Sequence, residues 1–200
     1  MACYEKNVHF APEVVNLFDP VEREAYRALY PLGKVPLLQL DNGRLIPESS
    51  IIIEYLETHV DAGPTLIPFD VDLARRVRFH DRQFDLYVQG PMGDLFKERM
   101  KPADQRDTPR MNAAKETLEV MYTRLNDVLE KRVWCVGNTF TMADCSAAPA
   151  LWGARYFHPW GAQRRHLDAY FGRLSERPSF ARVRTEAEPA LQALLSQLPA

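Results

Sequence analysis

The sequence predicts an α/β domain followed by an all-α domain, and three observations carry that expectation. Residues 32–56 read as a turn, a strand, a hairpin, a second strand and a helix start in close succession. Beyond a stretch bearing Gly63, Pro64 and Pro68, apolar residues recur at helical spacing. Within that later part, Thr141-Met142-Ala143-Asp144 has the form of a capping box opening a run of small and apolar residues. The expected organisation is a first domain over 1–62, a linker over 63–70 and a helical domain over 71–200.

Composition narrows the function classes. Two hundred residues with a net charge of −2 suit a soluble globular chain and give no electrostatic hint of nucleic acid or an anionic membrane. No run is apolar enough for a membrane span, and the first residues carry neither a basic region nor an apolar signal core. Cys3, Cys135 and Cys145 are odd in number and scattered, which fits a reducing cytoplasm. The five histidines are dispersed too, so no metal is expected.

Taken in order, residues 8–16 are expected to form a strand, bent or near an edge because Pro12 interrupts it. Asp19-Pro20 marks a helix through Tyr30, with aspartate as N-cap, proline at the first helical position and Glu22 in the first turn. Residues 35–40 are apolar enough for a buried strand, and Asp41-Asn42-Gly43 is a hairpin signal returning through Arg44, Leu45, Ile46 and Pro47. Ser49 or Ser50 then stands where a helix N-cap is expected. A helix starting there aims backbone N–H groups and a positive dipole end at its surroundings, which makes an anion seat.

Residues 71–101 follow a helical period, and Pro91 predicts a kink near Gln89-Gly90. Arg75, Arg76, Arg78 and Arg82 are interrupted by Asp72, Asp81 and Asp85, which reads as a solvated or ion-paired face rather than a polyanion site. Met111, Ala114, Leu118, Met121, Leu125, Val128 and Leu129 mark another amphipathic helix, its methionines core filler. Asp144 resembles a catalytic carboxylate in isolation, but its spacing from Thr141 assigns it to the helix start. Helices over about 162–175 and from Arg177 onward complete the chain.

Gly33-Lys34-Val35-Pro36, the acidic-Gly hairpin, Glu48-Ser49 and the Glu54-Tyr55-Leu56 helix end together resemble the N-terminal signature of the glutathione transferase family. Phe140-Thr141-Met142-Ala143-Asp144 and Arg177-Pro178-Ser179 resemble elements of that family's C-terminal domain. The resemblance implies a thioredoxin-like N-terminal domain ahead of an all-helical C-terminal domain, with Pro36 in the cis form. It implies glutathione as co-substrate: Val35 offering backbone groups to the cysteinyl part, Glu48 and Ser49 holding the γ-glutamyl end, and Lys34 near the glycine carboxylate. Phe84, Tyr87 and Met92 would line a pocket for a small apolar electrophile, and the protein would be a cytoplasmic homodimer.

One departure matters for catalysis. Tyr4-Glu5-Lys6-Asn7 resembles the end of the family's first helix, so a first strand and most of that helix are expected to lie upstream of Met1. The Ser, Tyr or Cys that activates the glutathione sulfur belongs to that upstream part, and no residue here is assigned its role. Cys3 and Tyr4 fall near the wrong end of the helix. Bacterial stringent starvation protein A resembles transferases in the same motifs and shares the pattern at Ala148-Pro149-Ala150-Leu151-Trp152. A non-catalytic interaction protein on the same fold is therefore the alternative.

Overall fold

A computed structural model describes residues 1–199. The chain divides into two compact units, one of Ala2–Thr65 and one from Leu66 onward that also includes Met1.

The first unit opens with α1 (Ala2–Glu5), and both Ala2 and Lys6, the residue just after the helix, are buried. Lys6 Nζ lies 3.1 Å from Glu57 Oε1, tying this turn to the far end of α3 (Ser49–His59). Residues 8–16, expected as a strand, form none. A strand needs a neighbour to accept its ladder hydrogen bonds, and the two strands that form here pair only with each other. α2 (Pro20–Leu29) forms as its cap predicts: Asp19 Oδ1 accepts from the Val21 and Glu22 amides at 2.8 and 3.0 Å.

β1 (Leu37–Gln39) and β2 (Leu45–Pro47) are antiparallel, with Leu37 opposite Pro47 and Gln39 opposite Leu45. Both are shorter than the apolar run suggested. The hairpin leads directly into α3, which buries Ile52, Ile53 and Leu56 and leaves Ile51 exposed. The N-cap position belongs to Glu48, not to Ser49 or Ser50 as the serines suggested. Ile52 N–H closes the first helical bond on Glu48 O at 2.9 Å, so Ser49 already lies inside the helix.

The second unit is helical. Its elements are α4 (Val71–Phe84), a π-helical turn (Asp85–Gln89), α5 (Gly90–Arg99), a short 3-10 turn (Ala103–Gln105), α6 (Thr108–Leu129), α7 (Met142–Phe157), α8 (Arg165–Glu176) and α9 (Pro178–Ser196). The kink expected from Pro91 takes the form of that π-turn, with Gly90 N–H bonded to Asp85 O. Proline lacks the amide that would continue the regular ladder, and the widened turn upstream absorbs the defect.

α7 is the buried centre of this unit. Ala143, Ala147, Ala148, Ala150 and Ala154 have almost no exposed surface, and such short side chains let neighbouring helices approach closely. Ser146 on α7 donates a hydrogen bond to the buried Asp81 on α4. Leu118, Tyr122 and Leu125 from α6 and Leu167, Tyr170 and Leu174 from α8 complete the core. At the start of α7, Asp144 Oδ2 accepts from the Thr141 amide at 2.8 Å and from its hydroxyl at 3.0 Å, while Oδ1 accepts from the Cys135 amide at 2.8 Å. Every acceptor site of this carboxylate serves structure, as the capping-box spacing implied. Among the described residues no helix is long and apolar enough to cross a membrane.

Candidate functional site

The register of the hairpin determines where the predicted residues meet. Because Leu37 pairs with Pro47, the chain entering β1 through Lys34, Val35 and Pro36 lies at the same end as the chain leaving β2 through Glu48 and Ser49. All five residues are exposed there, and the Val35–Pro36 peptide is cis. The start of α3 stands at this end too. Its first amides precede the first intrahelical bond and point outward, with the positive end of the helix dipole behind them.

Glu48 has an unusual backbone, φ +70° and ψ 122°, and its side chain makes no capping bond to the helix. A non-glycine residue in the left-handed half of the map is strained by roughly 1–3 kcal/mol. Here the conformation turns the chain sharply from β2 into α3 and leaves the carboxylate unused by its own helix. A carboxylate, an amide-rich helix start and an exposed edge backbone thus share one end of a two-stranded hairpin. Such a surface can take an ammonium, a carboxylate and an extended peptide backbone respectively.

Tyr26 was not among the residues singled out by sequence, yet it reaches this corner. Its side chain is 8% exposed, and its hydroxyl donates to Lys34 O at 2.6 Å. The only sequence signal was an aromatic residue on the inner face of an amphipathic helix, which is ordinarily core.

The three helical-unit residues differ in exposure. Phe84 is fully buried. Tyr87 sits on the π-turn and is 47% exposed. Met92 is half-buried, and its Cε would touch any side chain added at Gly153. Near the N-terminus, burial pushes the Cys3 thiol above its ordinary range, outweighing the opposing pull of the terminal ammonium and a backbone hydrogen bond. That is the wrong direction for a reactive thiolate. Elsewhere, a shallow depression of about 740 Å³ lies along α6 beside Arg164. Glu119 there is already engaged by His158 at 2.7 Å and Arg164 at 2.5 Å, and none of the predicted residues line it. Among the described residues, no group of three or more His, Cys, Asp or Glu could hold a metal ion.

Two family models match the chain in sequence order: "Glutathione S-transferase, N-terminal domain" over residues 1–59 and "Glutathione S-transferase, C-terminal domain" over residues 88–178. The chain belongs to the glutathione S-transferase family. It is 32% identical to the glutathione S-transferase-like protein LUC7 of Fusarium over 63% of this chain, a match that spans 57% of that relative's length. It is 25% identical to FtsZ-localized protein A of Caulobacter vibrioides, over 96% of this chain and 86% of that protein. Among solved structures, a glutathione S-transferase from Methylobacillus flagellatus with GSH bound superposes with a TM-score of 0.81 at 29% identity, covering 90% of this chain and 89% of that one. Membership assigns the thioredoxin-like fold to the first unit and the transferase helical fold to the second.

Proposed function

We propose that this glutathione S-transferase family member binds glutathione at the corner formed by Val35, Pro36, Glu48 and Ser49, and transfers its thiolate to small apolar electrophiles. The observation that carries the reading is the hairpin register, which brings the exposed entry to β1 and the start of α3 to one end. Glutathione carries three groups that this corner complements. The Glu48 carboxylate takes the γ-glutamyl ammonium, and the Ser49 hydroxyl with the α3 amides takes the adjacent α-carboxylate. The Val35 backbone takes the cysteinyl peptide unit in the manner of an added strand. Lys34 is exposed and long enough to meet the glycine carboxylate. The glutathione bound in the Methylobacillus relative supports this choice of ligand.

In the transfer step the thiolate sulfur attacks an electrophilic carbon, a carbon–sulfur bond forms, and the leaving group departs with its electron pair. An unassisted thiol, with a pKa of about 8.5, is mostly protonated at neutral pH. Binding positions the sulfur, and no residue of the described chain is assigned to removing its proton. Tyr87 and Met92 are the residues proposed to meet the electrophile. The protein is further proposed to work in the cytoplasm as a homodimer.

A second reading is a non-catalytic interaction protein on the same fold. The match to FtsZ-localized protein A along nearly the whole chain favours it, because that relative's name describes a location rather than a reaction. Two measurements separate the readings. Calorimetric titration with glutathione should show binding, and Ser49→Ala should weaken it about tenfold, the loss of one charge-assisted hydrogen bond. No heat of binding to the natural protein would sink the glutathione site. Conjugation of 1-chloro-2,4-dinitrobenzene, followed by absorbance, then tests transfer. Binding without conjugation above the uncatalysed background, even beyond about pH 8.5 where the thiol ionises unaided, selects the second reading.

A further inference from the structure

Tyr26 lies on α2, outside the hairpin, and is nearly buried. The helix is held at its start by the Asp19 cap and ends where Tyr30 N–H bonds to Tyr26 O at 2.8 Å. Gly33 N–H then returns to Tyr30 O at 2.8 Å, and Gly33 adopts φ +61° beneath the Arg27 side chain. This turn delivers the Lys34 carbonyl back to α2, where the Tyr26 hydroxyl holds it at 2.6 Å. The next peptide begins the proposed binding edge.

The geometry of one peptide plane links the two. The Lys34–Val35 peptide is trans, the cis bond being the following one, Val35–Pro36. In a planar trans peptide the C=O and the following N–H point in opposite directions. Holding the Lys34 carbonyl toward α2 therefore turns the Val35 N–H away from α2. No described residue accepts a hydrogen bond from that N–H, and Val35 is 56% exposed.

We propose that Tyr26 is a positioning residue for glutathione: its hydroxyl, by holding the Lys34 carbonyl, orients the Val35 N–H outward to receive the cysteinyl carbonyl of the ligand. The inference rests on the glutathione reading and adds to it a residue that never touches the ligand. The Tyr26–Lys34 bond is part-buried and Lys34 itself is exposed, so removing the tyrosine hydroxyl costs the fold no more than one neutral hydrogen bond. The lost bond then costs little folding stability, while the peptide plane is released to rotate. Binding and stability respond differently, which a purely structural tyrosine would not produce.

The test is Tyr26→Phe, with the melting temperature of the ligand-free protein measured beside calorimetric glutathione titration. The expected result is a dissociation constant raised about tenfold with the ligand-free melting temperature close to that of the natural protein. In the natural protein, the Val35 amide should also be among the backbone resonances that shift most on adding glutathione, and that shift should shrink in Tyr26→Phe. If the variant binds as tightly as the natural protein, the role of Tyr26 is overturned and the glutathione reading stands; if the Val35 amide is unmoved by saturating glutathione, that role falls together with the Val35 contact of the proposed site. If the natural protein itself does not bind glutathione, both fall. A variant too unstable to titrate contradicts the small stability cost and assigns Tyr26 to the fold instead.

Discussion

Tyr170 donates its hydroxyl proton to Asp144 Oδ1 at 2.6 Å, and neither side chain meets solvent. The same carboxylate caps α7 through Thr141 and holds the Cys135 amide, so one buried acid joins a helix start, the loop before it and α8. Burial pushes the Asp144 carboxyl above its ordinary value, against the hydrogen bonds from Tyr170, Cys135 and Thr141 that favour the charged form.

Removing either partner should therefore cost unequal amounts. Tyr170→Phe deletes one donor and keeps the ring, for an expected loss of about 1–2 kcal/mol. Asp144→Ala strands the Cys135 and Thr141 amides in the interior as well, for an expected loss of about 4 kcal/mol or more. Urea unfolding of both variants checks the order. Equal losses would show that the amides find other partners.

Acid should destabilise the helical unit through His80. This side chain is 5% exposed on α4, and its pKa is lowered to about 4 by burial first, then by Arg132, Arg124 and Arg76, with Gln83 opposing. The unfolded chain takes up the corresponding proton near pH 6.5. As pH falls from 6.5 toward 4 the unfolded state binds a proton that the folded state refuses, so stability declines across that window and levels off below it. The full effect is on the order of 3 kcal/mol, at about 1.4 kcal/mol per pH unit. His80→Leu should flatten this part of the pH–stability curve, and urea midpoints between pH 4 and 7 give the comparison.

The strain at Glu48 suggests a trade between folding and binding. Glu48→Gly relieves the φ of +70° and should hold or raise stability by about 1 kcal/mol. The same change deletes the carboxylate proposed for the γ-glutamyl ammonium, so glutathione affinity should fall at least tenfold, on the order expected of a charged hydrogen bond. Thermal melts and calorimetry on one sample decide it. A variant that is less stable and still binds would assign Glu48 to the fold.

Gly63 and Gly43 make a matched pair for backbone crowding. Both have positive φ, +72° and +81°. A side chain added at Gly63 would sit 2.3 Å from Glu5 O and 2.6 Å from Lys6 Cα, whereas nothing lies within 4 Å at Gly43. Gly43→Ala should cost about 1 kcal/mol from backbone conformation alone. Gly63→Ala must also displace the segment held by the Lys6–Glu57 pair, and should cost more than about 2 kcal/mol. Amide exchange at α1 would report the difference directly.

What was legible in the sequence was what local chemistry decides. Asp19 and Asp144 were readable because a cap and the amides it serves lie within one helical turn. The hairpin was readable because Asp41-Asn42-Gly43 specifies the turn between two apolar runs. Residues 8–16 form no strand because strand formation depends on a neighbour, which composition does not reveal. The N-cap of α3 fell one residue early because a strained Glu48, rather than a serine, makes the turn. Tyr26 and His80 were missed because their roles depend on partners met only after folding: a carbonyl across a turn for one, and arginines from α4 and beyond for the other. The burial of Phe84 is not legible either, because an aromatic residue at helical spacing looks the same in a core and in a pocket wall.

The π-turn at Asp85–Gln89 has a consequence for how this region tolerates change. A turn closed by Gly90 and Asp85 contains one more residue than an α-helical turn, and each residue of a regular helix advances the chain by about 100°. Every position after Gln89 is thus phased one step later than an uninterrupted helix would have it. Deleting a single residue within Asp85–Gln89 would close the turn to the ordinary width and set the Pro91 ring against the carbonyl four residues before it, whereas a deletion in α4 or α5 would rotate a buried stripe toward solvent. The bulge is the clearance Pro91 needs, so the chain can shed the extra residue only if it sheds the proline too.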